Sequence, residues 1–137
     1  MQTIKLRIAE KIATDRGAMA LFTGDNLGQV ASQTMSALAV TDDAVNMPVF
    51  RPLIGMDKND IINIAKKIGT YETSILPYED CCTVFVPKHP VIKPAINEII
   101  EEENKCELDD LIQEAFDKRE VKQFLVRDFV EENFSKK

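Results

Sequence analysis

The run Ala18-Met-Ala-Leu-Phe-Thr23 constrains the fold more than any other segment. It is short, continuously apolar and flanked by stretches with helical spacing. Such a run fits a strand buried on both faces, as in a parallel sheet, whereas a half-exposed antiparallel strand alternates apolar and polar residues. Before it, Ile4, Ile8 and Ile12, with Ala9 and Ala13, recur at helical spacing. Gly17 ends that helix behind Lys11 and Arg16, cations suited to a helix's negative end. After it, Gly24-Asp-Asn-Leu-Gly28 turns the chain, and Leu27, Val30, Ala31, Met35, Leu38 and Ala39 continue as a second helix over 27–40.

Met47-Pro-Val-Phe-Arg-Pro-Leu-Ile54 is a second strand, weakened by prolines that cannot donate to a ladder. A third helix spans 57–68: Asp57 is its N-cap, Ile61, Ile64, Ala65 and Ile68 form its apolar stripe, and Gly69 ends it. Helix alternating with strand implies an α/β domain, with 18–23 and 48–54 as parallel neighbours and helices on the sheet faces. Residues 94–118 are acidic and helix-forming, with Leu108, Leu111, Ile112 and Ala115 as an apolar face, and 121–130 fits a strand or a last helix. The reading is an α/β unit over 1–93 and a mainly helical acidic segment of the same domain over 94–137.

Composition sets the outer limits. A chain of 137 residues is about one domain. Its net charge of −6 argues against an autonomous nucleic-acid binder, which carries a basic face. No apolar run approaches the roughly 18 residues of a membrane span, and no charged-then-apolar leader begins the chain. Three cysteines, two of them adjacent, make a poor disulfide framework and point to reduced thiols in the cytoplasm.

Two segments carry chemistry. In Ser74-Ile-Leu-Pro-Tyr-Glu-Asp-Cys-Cys-Thr-Val-Phe-Val-Pro-Lys-His-Pro90, the prolines suppress regular helix and frame the adjacent Cys81 and Cys82 in a loop. These thiols suit a nucleophile or sulfur carrier, or one of them simply fills an apolar gap. Glu79 and Asp80 oppose thiolate formation, and Lys88 favours it. Adjacent cysteines lack the spacing with which two sulfurs reach one zinc, so no metal site is read. His89 is a surface or hydrogen-bonded residue, and Cys106 is structural or exposed. The second segment is Thr23-Gly-Asp-Asn-Leu-Gly-Gln-Val-Ala-Ser-Gln-Thr34, at the carboxyl end of a strand, where open α/β sheets place ligands. Gly24 permits close approach of a ligand, the following helix offers free N–H groups, and Gln33 presents a donor and an acceptor. The plainer reading is a strand–helix turn capped by Asp25 or Asn26.

Together with Arg51-Pro-Leu-Ile, Met56-Asp-Lys, Ile68-Gly-Thr-Tyr-Glu-Thr-Ser and Pro77-Tyr-Glu-Asp-Cys-Cys-Thr-Val-Phe, that string closely resembles the tRNA 4-thiouridine sulfurtransferase family, also called the thiamine-biosynthesis sulfurtransferase. The match runs in order over about residues 4 to 94. The resemblance implies the carboxyl part of an adenylation domain of the PP-loop ATPase type, a partial Rossmann-like parallel sheet of the adenine nucleotide alpha hydrolase kind with a helical tail. It implies an enzyme that uses ATP, with Mg and an AMP product, to adenylate the uridine at position eight of tRNA. Sulfur then replaces the 4-oxygen, delivered as a persulfide from a cysteine desulfurase. The same relay feeds the thiamine thiazole through its sulfur carrier. Cys81 falls on the family's catalytic cysteine, Cys82 takes part in resolving the persulfide, and Gly24 and Gln33 match positions that contact the adenine nucleotide.

The departures carry expectations of their own. The pyrophosphate loop Ser-Gly-Gly-x-Asp-Ser, the tRNA-gripping domains and a rhodanese domain are absent from the 137 residues, and a basic nucleotide contact falls near Gln2. The chain alone is therefore expected to be inactive, with tRNA bound through the missing domains. Its half-sheet exposes an edge, which invites a homodimer or pairing with the missing half. The alternative to an enzyme is a noncatalytic module that docks a sulfur donor or another partner.

Overall fold

The computed structural model describes residues 2–28, 33–77 and 93–123. In chain order they form α1 (Gln2–Asp15), β1 (Leu21–Phe22), α2 (Met35–Asp43), β2 (Val49–Phe50), α3 (Lys58–Lys67), α4 (Tyr71–Ser74), α5 (Ile96–Asn104) and α6 (Leu108–Asp117). Both glycines expected to end helices do so in the left-handed region, Gly17 at φ 70 and Gly69 at φ 76. Each closes a paired C-cap. The Gly17 and Ala18 N–H groups donate to Thr14 O and Ala13 O, and those of Gly69 and Thr70 to Lys66 O and Ala65 O. A residue with a Cβ would strain both sites.

The two strands pair in parallel, with Leu21 opposite Val49 and Phe22 opposite Phe50. The ladder is shorter than the apolar runs: Pro52 to Gly55 are already turn. Burial on both faces is not what the pair shows. Leu21 and Val49 are half-buried on the face that α1 covers, whereas Phe22 is 73% and Phe50 52% exposed on the other. Their rings lie 5.1 Å apart, in contact with each other and open to solvent. The continuous apolar run thus marks a sheet with one face uncovered among the described residues.

The second helix starts later than its apolar spacing suggests. Thr34 is its N-cap, extended at ψ 161, and its hydroxyl accepts from the Ala37 N–H. Leu27 and Gly28 lie in a turn and Gln33 precedes the helix. Neither Asp25 nor Asn26 caps it, and residues 29–32, between the turn and Gln33, lie outside the described residues. Its main packing partners are α1 and α5, while α3 packs on α4, so α1 rather than α2 or α3 is the helix that covers β1.

The acidic segment is two helices, broken at Lys105 to Glu107. It folds back on the amino-terminal helix, with α6 on α1 and α5 on α2. Ala13, Leu38, Val40, Val45 and Ile112 are the buried apolar residues among those described. Around this small core Glu103 takes both the Arg7 guanidinium, at 2.7 Å, and the Thr3 hydroxyl, at 2.5 Å. Arg119 reaches Asp15 at 2.7 Å and stacks 3.8 Å over the Phe116 ring. Residues 121–123 have no regular structure, and the rest of 121–130 lies outside the described residues. No helix among the described residues is long and apolar enough to cross a membrane.

Candidate functional site

The turn after β1 sits at the carboxyl end of the strand pair, where N–H and C=O groups leave the ladder and need other partners. Thr23 N–H still donates to Phe50 O at 3.0 Å, and the Leu27 N–H crosses to Ile54 O at 3.1 Å. The loops following the two strands are thereby bonded to each other. Asn26 does most of this. Only 5% exposed, it donates both side-chain N–H bonds to carbonyls of the second loop, Leu53 O at 2.5 Å and Met56 O at 2.7 Å. Its own backbone N–H donates to Gln33 Oε1 at 3.2 Å.

Gln33 therefore lies against the turn at Asn26, and its backbone carbonyl oxygen accepts from the Gly28 N–H at 3.1 Å. The two glycines differ in kind. Gly28 is at φ 77, a conformation the turn demands of a glycine. Gly24 is not at positive φ, and a Cβ built on it meets no described atom within 4 Å. Among the described residues neither backbone nor packing requires a glycine there, as is also true of Gly55. Among the described residues the space beside Gly24 is open, which would let a ligand approach closely.

Arg51, at the end of β2, supports the turn from beneath. Its side chain is about nine-tenths buried, at 10% exposure, and its Nε lies 3.2 Å from Asp25 Oδ2. Nη1 lies 2.8 Å from Asp42 Oδ1, and Nη2 donates to the Thr41 hydroxyl at 3.3 Å. Asp25 Oδ2 takes a second bond from the Thr23 hydroxyl at 2.7 Å. One guanidinium thus joins the turn to the end of α2. Asp42 is half exposed, so that arm is screened and contributes little, whereas the Asp25 arm is shielded and directional.

Of the residues read from sequence, the structure brings Gln33 to the Gly24 turn. Cys81, Cys82, Lys88 and His89 lie outside the described residues. Cys106 is a free, exposed thiol, one of the two readings made for it. Sequence reasoning missed the roles of Asn26 and Arg51. Arg51 had a signal, a lone charge ending an apolar strand between prolines. Asn26 had none, because its partners lie 27 and 30 residues away. A hollow of about 400 Å³ among the described residues lies elsewhere, between α5 and α6. Glu103, Glu107, Asp109 and Asp110 line it against a single Arg7, a charge balance that repels a polyphosphate. No group of three or more potential metal-ligating side chains is gathered among the described residues.

The family model described as "Thiamine biosynthesis protein (ThiI)" matches residues 1–108. The chain belongs to this family. A "Probable tRNA sulfurtransferase" of Acetivibrio thermocellus is 58% identical over 121 residues, 88% of this chain and 31% of that protein. One of Caldanaerobacter subterraneus subsp. tengcongensis is 61% identical over 107 residues, 78% of this chain and 28% of that protein. A solved structure described as a 4-thiouridine synthetase–RNA complex with bound ATP superposes with a TM-score of 0.82 at 45% identity, covering 88% of this chain and 32% of that one. The chain spans about three-tenths of the length of these ThiI-family relatives. Its parallel strand pair with flanking helices is a partial α/β fold of the kind that structure contains.

Proposed function

We propose that this chain is the nucleotide-contacting and sulfur-handling part of an ATP-dependent tRNA sulfurtransferase that makes 4-thiouridine at position eight. The observation that carries the reading is Gly24. It is a glycine that neither its own backbone nor its packing among the described residues requires, at the carboxyl end of a parallel strand pair, with Gln33 bonded to Asn26 two residues along the same turn. ATP binding by a structural relative at 45% identity supports it. The adenine nucleotide lies along the Gly24 turn in contact with Gly24 and Gln33. Mg accompanies ATP, and AMP leaves as product.

Two steps follow from the chemistry. The uridine 4-oxygen attacks the α-phosphorus of ATP and pyrophosphate departs, which turns a poor leaving group into AMP. A persulfide on Cys81, loaded by a cysteine desulfurase, attacks C4 and displaces AMP. The Cys82 thiol then attacks Cys81 Sγ, forming a Cys81–Cys82 disulfide and releasing the 4-thio base. In the same relay, sulfur passes to the carrier protein of the thiazole pathway. Residues 1–93 and 94–137 act as two parts of one cytoplasmic domain. The uncovered Phe22–Phe50 face supports pairing of this segment, with a second copy or with the remainder of such an enzyme. tRNA is gripped by parts outside the 137 residues, so the chain alone neither thiolates tRNA nor hydrolyses ATP, and its ATP affinity is weak.

In a full-length enzyme carrying this segment, Cys81→Ser should abolish 4-thiouridine formation, because a hydroxyl cannot carry sulfane sulfur. Cys82→Ser should fall between that variant and wild type. Mass spectrometry after incubation with a cysteine desulfurase and cysteine reads the modified thiol. Sulfur found only on Cys82 or Cys106 would put the relay on a different residue.

A further inference from the structure

We propose that Asn26 is a positioning residue for the nucleotide, fixing Gln33 so that only its NH2 group meets the ligand. The inference rests on the nucleotide reading above and adds which end of the amide does the recognising. The Asn26 backbone N–H is a donor, so the atom 3.2 Å from it must be the Gln33 oxygen rather than its nitrogen. This bond fixes the amide's orientation, which is otherwise free to flip. With Oε1 turned to the backbone, the NH2 branch points away from Asn26. Gln33 is then a donor, and the ligand atom it meets is an acceptor, a ring nitrogen or an oxygen of the nucleotide, and not the adenine amino group.

The Asn26 side chain makes that orientation stiff. Its two N–H bonds run to Leu53 O and Met56 O, both pure acceptors, and the residue is 5% exposed. Only a side chain with two donors satisfies both carbonyls. An aspartate of the same shape would set a carboxylate against them in a buried site, a repulsive arrangement that leaves the carbonyls unpaired. The loop after β2 thus sets where the Asn26 N–H points, and that N–H sets where Gln33 points.

The test uses this chain, with ATP titrated and followed by NMR well below each variant's melting temperature. Gln33→Glu keeps the acceptor for Asn26 and removes the donors, so ATP binding should weaken about tenfold or more, the scale of one lost hydrogen bond with an added repulsive charge. Asn26→Asp should weaken binding by a similar factor while the protein stays folded. In a Gln33→Ala background it should add less than about threefold, because its effect acts through Gln33. Without nucleotide, Gln33→Ala should speed exchange of the Asn26 amide proton.

Wild-type ATP affinity in Gln33→Glu would overturn the donor assignment. An Asn26→Asp variant that binds ATP normally when folded, or whose effect persists undiminished without Gln33, would reduce Asn26 to a structural role. If Asn26→Asp does not fold, unchanged Asn26 amide exchange in Gln33→Ala would still contradict the bond. Absence of any ATP contact in the wild-type protein would remove the nucleotide reading itself, and the proposal with it.

Discussion

The turn after β1 and the seam that joins α1 to α5 and α6 are both tied by polar bonds, yet they are built differently. At the turn the bonds are buried and directional: Asn26 is 5% exposed and the Arg51 side chain 10%. At the seam only the Thr3–Glu103 bond is comparably buried; Arg7 and Asp15 are 31% and 44% exposed, and the close packing is left to a few apolar residues such as Ala13 and Ile112. Buried polar bonds hold atoms in one geometry but give modest net stability, whereas apolar contact gives stability with little direction. A region that must present a ligand site within a fraction of an ångström needs the first kind. A segment that has only to stay attached can use the second.

Substitutions can separate the two. Ile112→Ala should produce the largest stability loss, about 2–4 kcal/mol, since it removes buried methyl groups from the seam. Denaturant unfolding measures the loss, and hydrogen exchange should show α5 and α6 loosened with the Asn26 amide least affected. Arg51→Met should cost about 1–3 kcal/mol by leaving Asp25 without its shielded cation. Here the exchange pattern should reverse, with the turn opening before the seam. If both variants loosen both regions equally, the distinction fails.

Salt sharpens the same contrast with a smaller effect. Raising ionic strength from about 0.05 M to about 0.5 M shortens the screening length severalfold and should weaken the exposed Arg119–Asp15 pair by less than about 1 kcal/mol. Exchange at the turn should change less than exchange along α6. Cys106→Ser should do least of all, within about 0.5 kcal/mol in stability, with 4-thiouridine formation by a full-length enzyme unchanged, because the thiol is exposed and away from the turn.

What the sequence disclosed follows from range. Helices α1 and α3 were legible because their apolar spacing and terminal glycines are local, and Gly17 and Gly69 end them as a left-handed residue should. Parallel pairing was legible from two apolar runs separated by a helix. The start of α2 was not. Leu27, Val30 and Ala31 continue its spacing backwards, but Thr34 supplies the cap, and Leu27 is instead bonded to Ile54 across the two loops. Burial of the strands was misread for a related reason. An apolar run shows that a face can be covered, not that anything covers it, and among the described residues only the α1 side is. The Asn26 bonds and the three-way grip of Arg51 join residues 7 to 30 positions apart, and no local pattern encodes such pairings.

The central claim is that the Gly24 turn, and not the acidic hollow between α5 and α6, meets the nucleotide. Amide shifts followed while ATP is titrated into the wild-type chain test it most directly. Weak, saturable shifts centred on Gly24, Asn26 and the Gln33 backbone and side chain, with affinity reduced about tenfold in Gln33→Ala, are the predicted result. Shifts centred on Arg7 and Glu107 to Asp110, or binding that Gln33→Ala leaves unchanged, would contradict the account.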